Sequence, residues 1–410
     1  MRLIRLSTNP QLYLKQFYCT HPHLLEESYE IQYQALMADS FGWADVWTKA
    51  LSKLDYEVWE PVGNAEPMQK AWAKERGIDY GKKTWLWDIT TTQVKYFKPD
   101  VVFVNDYATY NVDFFTHLRE QCPSIRLIVG WCGAPYEDGR VFRAYNLVLS
   151  NIPALVTHFQ EGGHKSEHMH HAFEPSILRK IDLHRPNTIP FSFIGSIVKR
   201  NKYHNKRERL LKALIRETPL KIWTDNTQPS NRDRQLLQLR QALYDLVQVS
   251  KTMPGGETIL GQMPGFRGYM SLKQRPNYYY LDLDLVSRSQ AALYGVAMYQ
   301  KLRESTVTLN THIDLSVQFA SNMRLFEATG VGSCLLTEAQ KNLTELFEPD
   351  VEIVTYSSID EAVEKVRYLN DNKDTRDRIA EAGQQRTLNK HNFDLRAQQF
   401  NQLIKRYIQF

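Results

Sequence analysis

Cysteine is scarce in this chain. Its 410 residues include Cys19, Cys122, Cys132 and Cys334 and no other cysteine, and no two stand at CxxC spacing. That excludes a disulfide framework or a thiolate zinc site as an organising feature and suits a reducing cytoplasm. No apolar run approaches the roughly 18 residues of a membrane-spanning helix. The opening MRLIRLSTNP has no apolar core followed by a small-residue cleavage site, so no secretory signal is expected. Neither GxGxxG nor GxSxG occurs, and the glycine-bearing GETILGQMPG lacks the GK[ST] ending of a phosphate-binding P-loop.

Charge is nearly balanced overall, at +5, but unevenly spread. Residues 1–180 hold 19 Lys and Arg against 21 Asp and Glu, and the remainder holds 32 against 25. A basic second half suits an anionic ligand or an anionic membrane surface. An ordinary solvated face has the same composition. With 42% apolar and 24% charged residues the chain reads as globular, and its length favours two domains.

The pattern along the chain is α/β. Leu3–Leu6 reads as a first strand leading into a polar loop. Ser28 to Leu54 keeps a helical period, Tyr56–Glu60 is a short strand, and a helix is expected around Met68–Arg76. DVVFVND, ending at Asp106, looks like a buried parallel strand with a loop at its carboxyl edge. Phe114–Glu120 is helical, Arg126–Trp131 is another buried strand, and Leu147–Ser150 and Ala154–Thr157 are further strand candidates. Near Pro186–Pro190 the pattern restarts with the strand FSFIG, a basic helix from about Arg207 to Arg216 and the strand LKIW. A Gln/Arg/Leu-rich helix (Arg234–Val249), a Gly/Pro loop (254–265), Tyr278–Tyr280, the helix Leu293–Leu302 and the strand Val307–Asn310 follow. Past residue 338 come the strand Glu352–Tyr356 and a charged helix from about Ile359 to Leu369. The restart predicts two α/β domains with a cleft between them.

The segment NMRLFEATGVGSCLLTE (322–338) carries an amide, a guanidinium and a carboxylate within six residues. On a helix, Ser321 suits the N-cap and Gly330 the position just past the end. Asn322, Met323 and Arg324 then occupy the first turn, where free N–H groups and a guanidinium favour a diphosphate. Met323 and Phe326 face the core, and Glu327, one turn on, is placed to accept ribose hydroxyls. Spacing alone slightly favours the plainer reading, an i,i+3 surface ion pair between Arg324 and Glu327.

This segment resembles the donor-binding segment of GT-B glycosyltransferases, nearest the family-1-like group that includes CgeB-like proteins. Residues 292–314, 346–369 and 378–393 are similar to the segments flanking that motif. FIGSIVKR (193–200) resembles the first loop of the nucleotide domain, and HMHHAFEP (168–175) the stretch entering the interdomain linker. DSFGWADVWTKALSKLDYEVWE is similar to the group's N-terminal domain. The resemblance implies two facing Rossmann-like domains: an acceptor domain over 1–186, a donor domain over 187–393, and an end helix, 394–410, packing back on the first. It implies a metal-independent transfer from a UDP-, GDP- or dTDP-sugar, as substrate and with no required cofactor, to a glycan, lipid-linked or other hydroxyl. The implied setting is cell-envelope polysaccharide synthesis, in the cytoplasm or peripherally at the inner membrane face, with no nucleic acid partner. By the same resemblance Glu327 holds the ribose. Arg324 and Asn322, with the amides near Gly330 and Gly332, hold the diphosphate. Gly195 and Ser196 form the turn that lets the phosphates approach, and Lys199 and Arg200 add charge. Phe319 stands where many retaining members carry a second glutamate, which argues against a retaining mechanism.

Transfer needs a base for the acceptor hydroxyl. Asp106, at a predicted strand end, is the first candidate. His171, before the linker, is the candidate for contact with donor or acceptor. Glu137, Asp138, His21, His23 and Glu27 are alternatives, and each of these residues has an ordinary capping or packing role open to it. His158, His164, His168, His170 and His171 cluster, and His164 and His168 stand at a zinc-binding i,i+4 spacing. Gly162–Gly163 favours a loop there, and no metal is expected. The tryptophans of the first half (43, 47, 59, 72, 85, 87 and 131) are expected mainly in the core. Two rival functions share the features: a nucleotide-sugar epimerase of the same fold, and a non-enzymatic module binding anionic glycan or nucleic acid.

Overall fold

The structure, a computed structural model, describes residues 1–134, 136, 138–197, 205–225, 230–252, 266–270, 272, 275–277, 282–312 and 318–408. Among these, the first half supplies β1 (Arg2–Leu6), β2 (Glu57–Trp59), β3 (Val101–Val104), β4 (Leu127–Trp131), β5 (Leu147–Ser150) and β6 (Ser166–His168). They pair in parallel in the order β2-β1-β3-β4-β5-β6. The second half supplies β7 (Ile189–Ile194), β8 (Leu220–Trp223), β9 (Ser289–Gln290), β10 (Ser305–Asn310), β11 (Cys334–Glu338) and β12 (Val354–Tyr356). These are also parallel, in the order β12-β11-β10-β7-β8-β9. Helices cover both faces, which is why strands such as VVFV and LIVGW are apolar throughout rather than alternating. The fold is the expected GT-B arrangement of two Rossmann-like domains.

Several local expectations change. The stretch Ser28–Leu54 is two helices, Tyr29–Ala38 and Val46–Ser52. Ser40, Gly42 and Ala44 between them all have positive φ, which no helix tolerates. The expected polar loop after β1 contains the helix Gln11–Thr20, with Tyr13, Leu14, Phe17 and Tyr18 buried. Ala154–Thr157 lies in a helix, Pro153–Glu161, not in a strand. Pro153 suits a first helical turn, where its missing N–H costs nothing. The tryptophan expectation holds for Trp43, Trp47, Trp72 and Trp131, which are buried, whereas Trp59, Trp85 and Trp87 are half-buried. The 254–265 loop and Tyr278–Tyr280 lie outside the described residues.

Two segments cross between the domains and pair with each other. Phe173 N–H donates to His391 O (2.8 Å), and Phe393 N–H donates to Phe173 O (3.2 Å). The last helix, Phe393–Tyr407, then lays Phe393, Ala397, Phe400, Leu403 and Ile404 into the core under β1, β3 and β4. Phe400 sits between Trp47 and Phe103 (ring centroids 5.2 and 4.8 Å). Arg396 locks the crossing by donating to the carbonyls of His170 (3.1 Å) and His171 (3.3 Å).

Candidate functional site

In parallel sheets, ligands gather at the carboxyl ends of strands where the order reverses. In the first sheet that point lies between β1 and β3. A cavity of about 710 Å³ opens there, lined by Thr8, Asn105, Asp106, Tyr107, Trp131 and His171 among others. Asp106 is held by three donors: Thr8 Oγ1 on Oδ2, and the N–H groups of Ala108 and Thr109 on Oδ1 (both 2.9 Å). His171 rests against Trp43 and Trp131 (centroids 5.7 and 5.1 Å). Burial pushes its imidazole down to about 3, and nearby Arg396 adds to this, so the ring is neutral. A second cavity of about 300 Å³ shares Thr8, Asn105, Trp131 and His171, and reaches Met323 of the other domain.

The second sheet reverses between β7 and β10, and Arg207 spans that point. Its guanidinium donates to Ser196 O (2.6 Å), after β7, and to Thr311 O (2.9 Å), after β10. Beside it His312 N–H donates to Glu338 (2.9 Å), and Asn322 Nδ2 donates to Asn310 Oδ1 (2.6 Å) and Thr311 O (3.2 Å). Burial, then Arg207, pushes His312 down to about 3, while burial raises the Glu338 carboxyl. Asn151, after β5, donates to Ser321 O (2.5 Å), so the 321–324 segment sits against the first domain's edge. The two strand edges therefore face one another.

The motif helix starts later than its sequence predicts. It runs Arg324–Gly330 with Met323 as N-cap and no side-chain cap bond, so Ser321 is not the cap and Asn322 is outside the first turn. The expected end residue also changes: Gly332, at φ +82, takes the left-handed conformation, and Gly330 closes the helix. Gly330 is glycine because a Cβ would strike the Phe173 ring. Phe326 enters the second domain's core, but Met323 packs against the first domain's. The Arg324–Glu327 ion pair exists (2.8 Å), with Glu327 buried and Arg324 half-buried rather than on the open surface. Tyr299 OH reaches Glu327 Oε1 at 3.4 Å, and burial beside that carboxylate pushes the phenol well up.

The structure thus brings Ser196 and Asn322 to one edge, linked through Arg207 and Thr311, with Met323 reaching the cavity that holds His171, while Arg324 and Glu327 pair one turn on against Met298 and Tyr299. Gly195 adjoins Ser196 and donates to Trp223 O (3.1 Å). It does not bring Gly330 and Gly332 there. They lie at the far end of the motif helix, and Gly332 lines a separate cavity of about 350 Å³ with Asp377 and Gln384. Lys199, Arg200 and Glu137 lie outside the described residues. His164 and His168 share no helix, since His164 follows one and His168 ends β6. Among the described residues no group of three His, Cys, Asp or Glu is arranged to hold a metal ion. Arg207 and His312 also stand at the second sheet's edge, and the sequence reading did not single them out. Arg207 had a readable signal: it stands three, four and seven residues before Leu210, Leu211 and Leu214, on the buried face of its helix.

Several of the buried polar atoms without a partner lie on the two facing edges. Asn105 Oδ1, Asn151 Oδ1 and His171 Nδ1 lie on the first, and Thr224 Oγ1, both His312 ring nitrogens and Asn322 Oδ1 on the second. Each such atom costs roughly 1–3 kcal/mol unless a ligand or water satisfies it. The chemistry assembled is a polar cleft with guanidinium groups on one side and a carboxylate, an imidazole and aromatic rings on the other.

Comparison with known proteins gives the same picture. Residues 245–402 match the protein family described as glycosyl transferase-like. No curated protein sequence matches the chain. Anabaena HepE, solved in complex with UDP and glucose, superposes with a TM-score of 0.55 at 11% identity, over 99% of this chain and 100% of that one. Sucrose-phosphate synthase from Thermosynechococcus elongatus gives 0.52 at 10% identity, over 99% and 98%. A glycosyltransferase from Rickettsia africae gives 0.52 at 9%, over 99% and 98%. At these identities the likeness to the solved structures is one of fold. The second half of the chain therefore carries a glycosyltransferase family match, within a chain whose whole length has the GT-B glycosyltransferase fold.

Proposed function

We propose that this protein moves a sugar from a nucleoside-diphosphate sugar to a hydroxyl of a glycan or lipid-linked acceptor, without a metal ion. The carrying observation is the opposed pair of strand edges with orphaned polar atoms and a guanidinium, Arg207, across the second switch point. The UDP and glucose held by HepE support a nucleotide ligand in such a cleft. In this reading residues 1–186 hold the acceptor and residues 187–393 the donor, and the end helix belongs with the former. Glu327 accepts from the ribose. Arg324, Asn322, Ser196 and the Gly195 turn receive the diphosphate, with Arg207 fixing the turn. Guanidinium groups stabilise the departing diphosphate in the role a divalent cation would otherwise fill. Asp106 takes the acceptor proton, and neutral His171 orients a hydroxyl with its free Nδ1. Gly330 and Gly332 serve helix packing. The setting we assign is cytoplasmic glycan synthesis. Among the described residues no helix is long and apolar enough to cross a membrane.

The test is thermal stabilisation by UDP, GDP, dTDP, CDP and ADP, on wild type and Glu327→Ala. One diphosphate at a hundredfold excess over its Kd should stabilise the wild type by about 2.7 kcal/mol. Glu327→Ala should lose the effect. If no diphosphate stabilises the wild type, the proposal fails. Interconversion of free donor without acceptor would point instead to an epimerase.

A further inference from the structure

The helix Asn231–Lys251 is unusual for its length. It is roughly 31 Å long at 1.5 Å per residue, yet Val247 is its only buried residue. Its start is well defined: Ser230 accepts from Asp233 N–H (3.1 Å), and the Asp233 carboxylate accepts from Ser230 N–H (3.0 Å), a capping box. Helices in water are stabilised mainly by burying an apolar face. Among the described residues nothing covers the apolar face of this one. Leu236, Leu239, Leu246 and Val249 are 41 to 56% exposed. At helical spacing they share an arc of roughly 140°. Arg232 falls in line with that arc and Arg240 at its edge, and both are exposed.

We infer that this helix is a docking face for an anionic lipid surface, lying in the headgroup plane with its leucines inserted and Arg232 and Arg240 on lipid phosphates. An exposed apolar stripe edged by arginine is the chemistry such a surface selects. The site is independent of the nucleotide reading. A second copy of the chain fits less well. The leucines span two heptads, short of the three or four a coiled-coil seam needs. Parallel pairing would also set Arg232 against its twin.

The experiment is co-sedimentation of the full chain with vesicles of phosphatidylcholine alone or mixed with phosphatidylglycerol. The wild type should bind the mixed vesicles and not the neutral ones. Arg232→Ser with Arg240→Ser should weaken binding about thirtyfold, at about fivefold per cation. Leu239→Glu with Leu246→Glu should abolish it. Nucleotide stabilisation is measured on the same variants. Its retention shows that the fold and the cleft are intact, so failure here and failure of the donor reading are told apart. Absence of binding to mixed vesicles overturns the inference, as does binding that survives both double substitutions. So does a wild-type dimer that Leu239→Glu with Leu246→Glu converts to monomer.

Discussion

Gly295→Ala tests one of the contacts between the two domains. Gly295 opens the helix Gly295–Arg303 at φ +54, and a Cβ there would stand 2.3 Å from Asp39 O in the other domain. Val296 N–H donates to that same carbonyl (2.8 Å), and Tyr13 OH holds the Asp39 carboxylate (2.8 Å). Tyr294 packs on Tyr13 and Phe41 (centroids 5.4 and 5.5 Å). Two costs follow from alanine. The left-handed backbone costs about 1 kcal/mol. Displacing a main-chain oxygen breaks the Val296 bond, about 1–2 kcal/mol more. Gly77 separates the two costs, because it has nearly the same φ, +61, and nothing within 4 Å of a built Cβ. At about 3 °C per kcal/mol for domains of this size, Gly77→Ala should lower Tm by about 3 °C and Gly295→Ala by about 8 °C. Small-angle scattering should show a larger radius of gyration for Gly295→Ala alone. Equal losses of Tm with unchanged scattering would refute the argument, because the junction would then contribute nothing beyond backbone strain.

Arg207→Met removes the bridge between Ser196 O and Thr311 O and should abolish nucleotide-induced stabilisation. A retained thermal shift would place Arg207 outside the site. Phe400→Ala empties the space between Trp47 and Phe103 and should cost about 3–5 kcal/mol in urea unfolding. A cost below 1 kcal/mol would show that the end helix is not part of the first domain's core. His391 gives the pH prediction. Its Nε2 donates to Leu346 O (2.9 Å) and its Nδ1 accepts from Arg396 (3.2 Å), so it is neutral in the fold. Burial pushes it down to about 4. Its folded value lies below its unfolded one, so the unfolded chain binds more protons between the two. Its contribution is therefore present above about pH 6.5 and lost as pH falls from there towards 4. Wild type should lose about 1.4 kcal/mol more than His391→Gln between pH 7.5 and 5.5, read from urea midpoints. Parallel pH profiles would show that the histidine titrates alike in both states.

Legibility divided along physical lines. Strands buried on both faces, such as VVFV and LIVGW, announce themselves because few other elements tolerate a short run apolar on every position. The end helix was readable from its apolar spacing, and its place in the first domain followed from the resemblance. The break at 39–45 was not legible as a whole. Gly42 was visible, but the positive φ of Ser40 and Ala44 comes from contacts far away in sequence, including the Arg5 guanidinium on Ala44 O (2.7 Å). The start of the motif helix shifted because Asn322 spends its amide on Asn310 and Thr311, partners no local rule contains.

The sequence by itself determined the two α/β halves, the motif from Asn322 to Glu327 and the apolar residues of each core, because these follow from local periodicity and residue chemistry. Only the tertiary structure decided that the Arg324–Glu327 pair is largely removed from solvent, that Gly330 packs against Phe173, and that Arg207 spans β7 and β10. The burial of that i,i+3 pair and the other two contacts come from residues far apart in the chain. Their partners are selected by how the sheets pack and where their order reverses, and neither is encoded in the spacing of neighbouring residues.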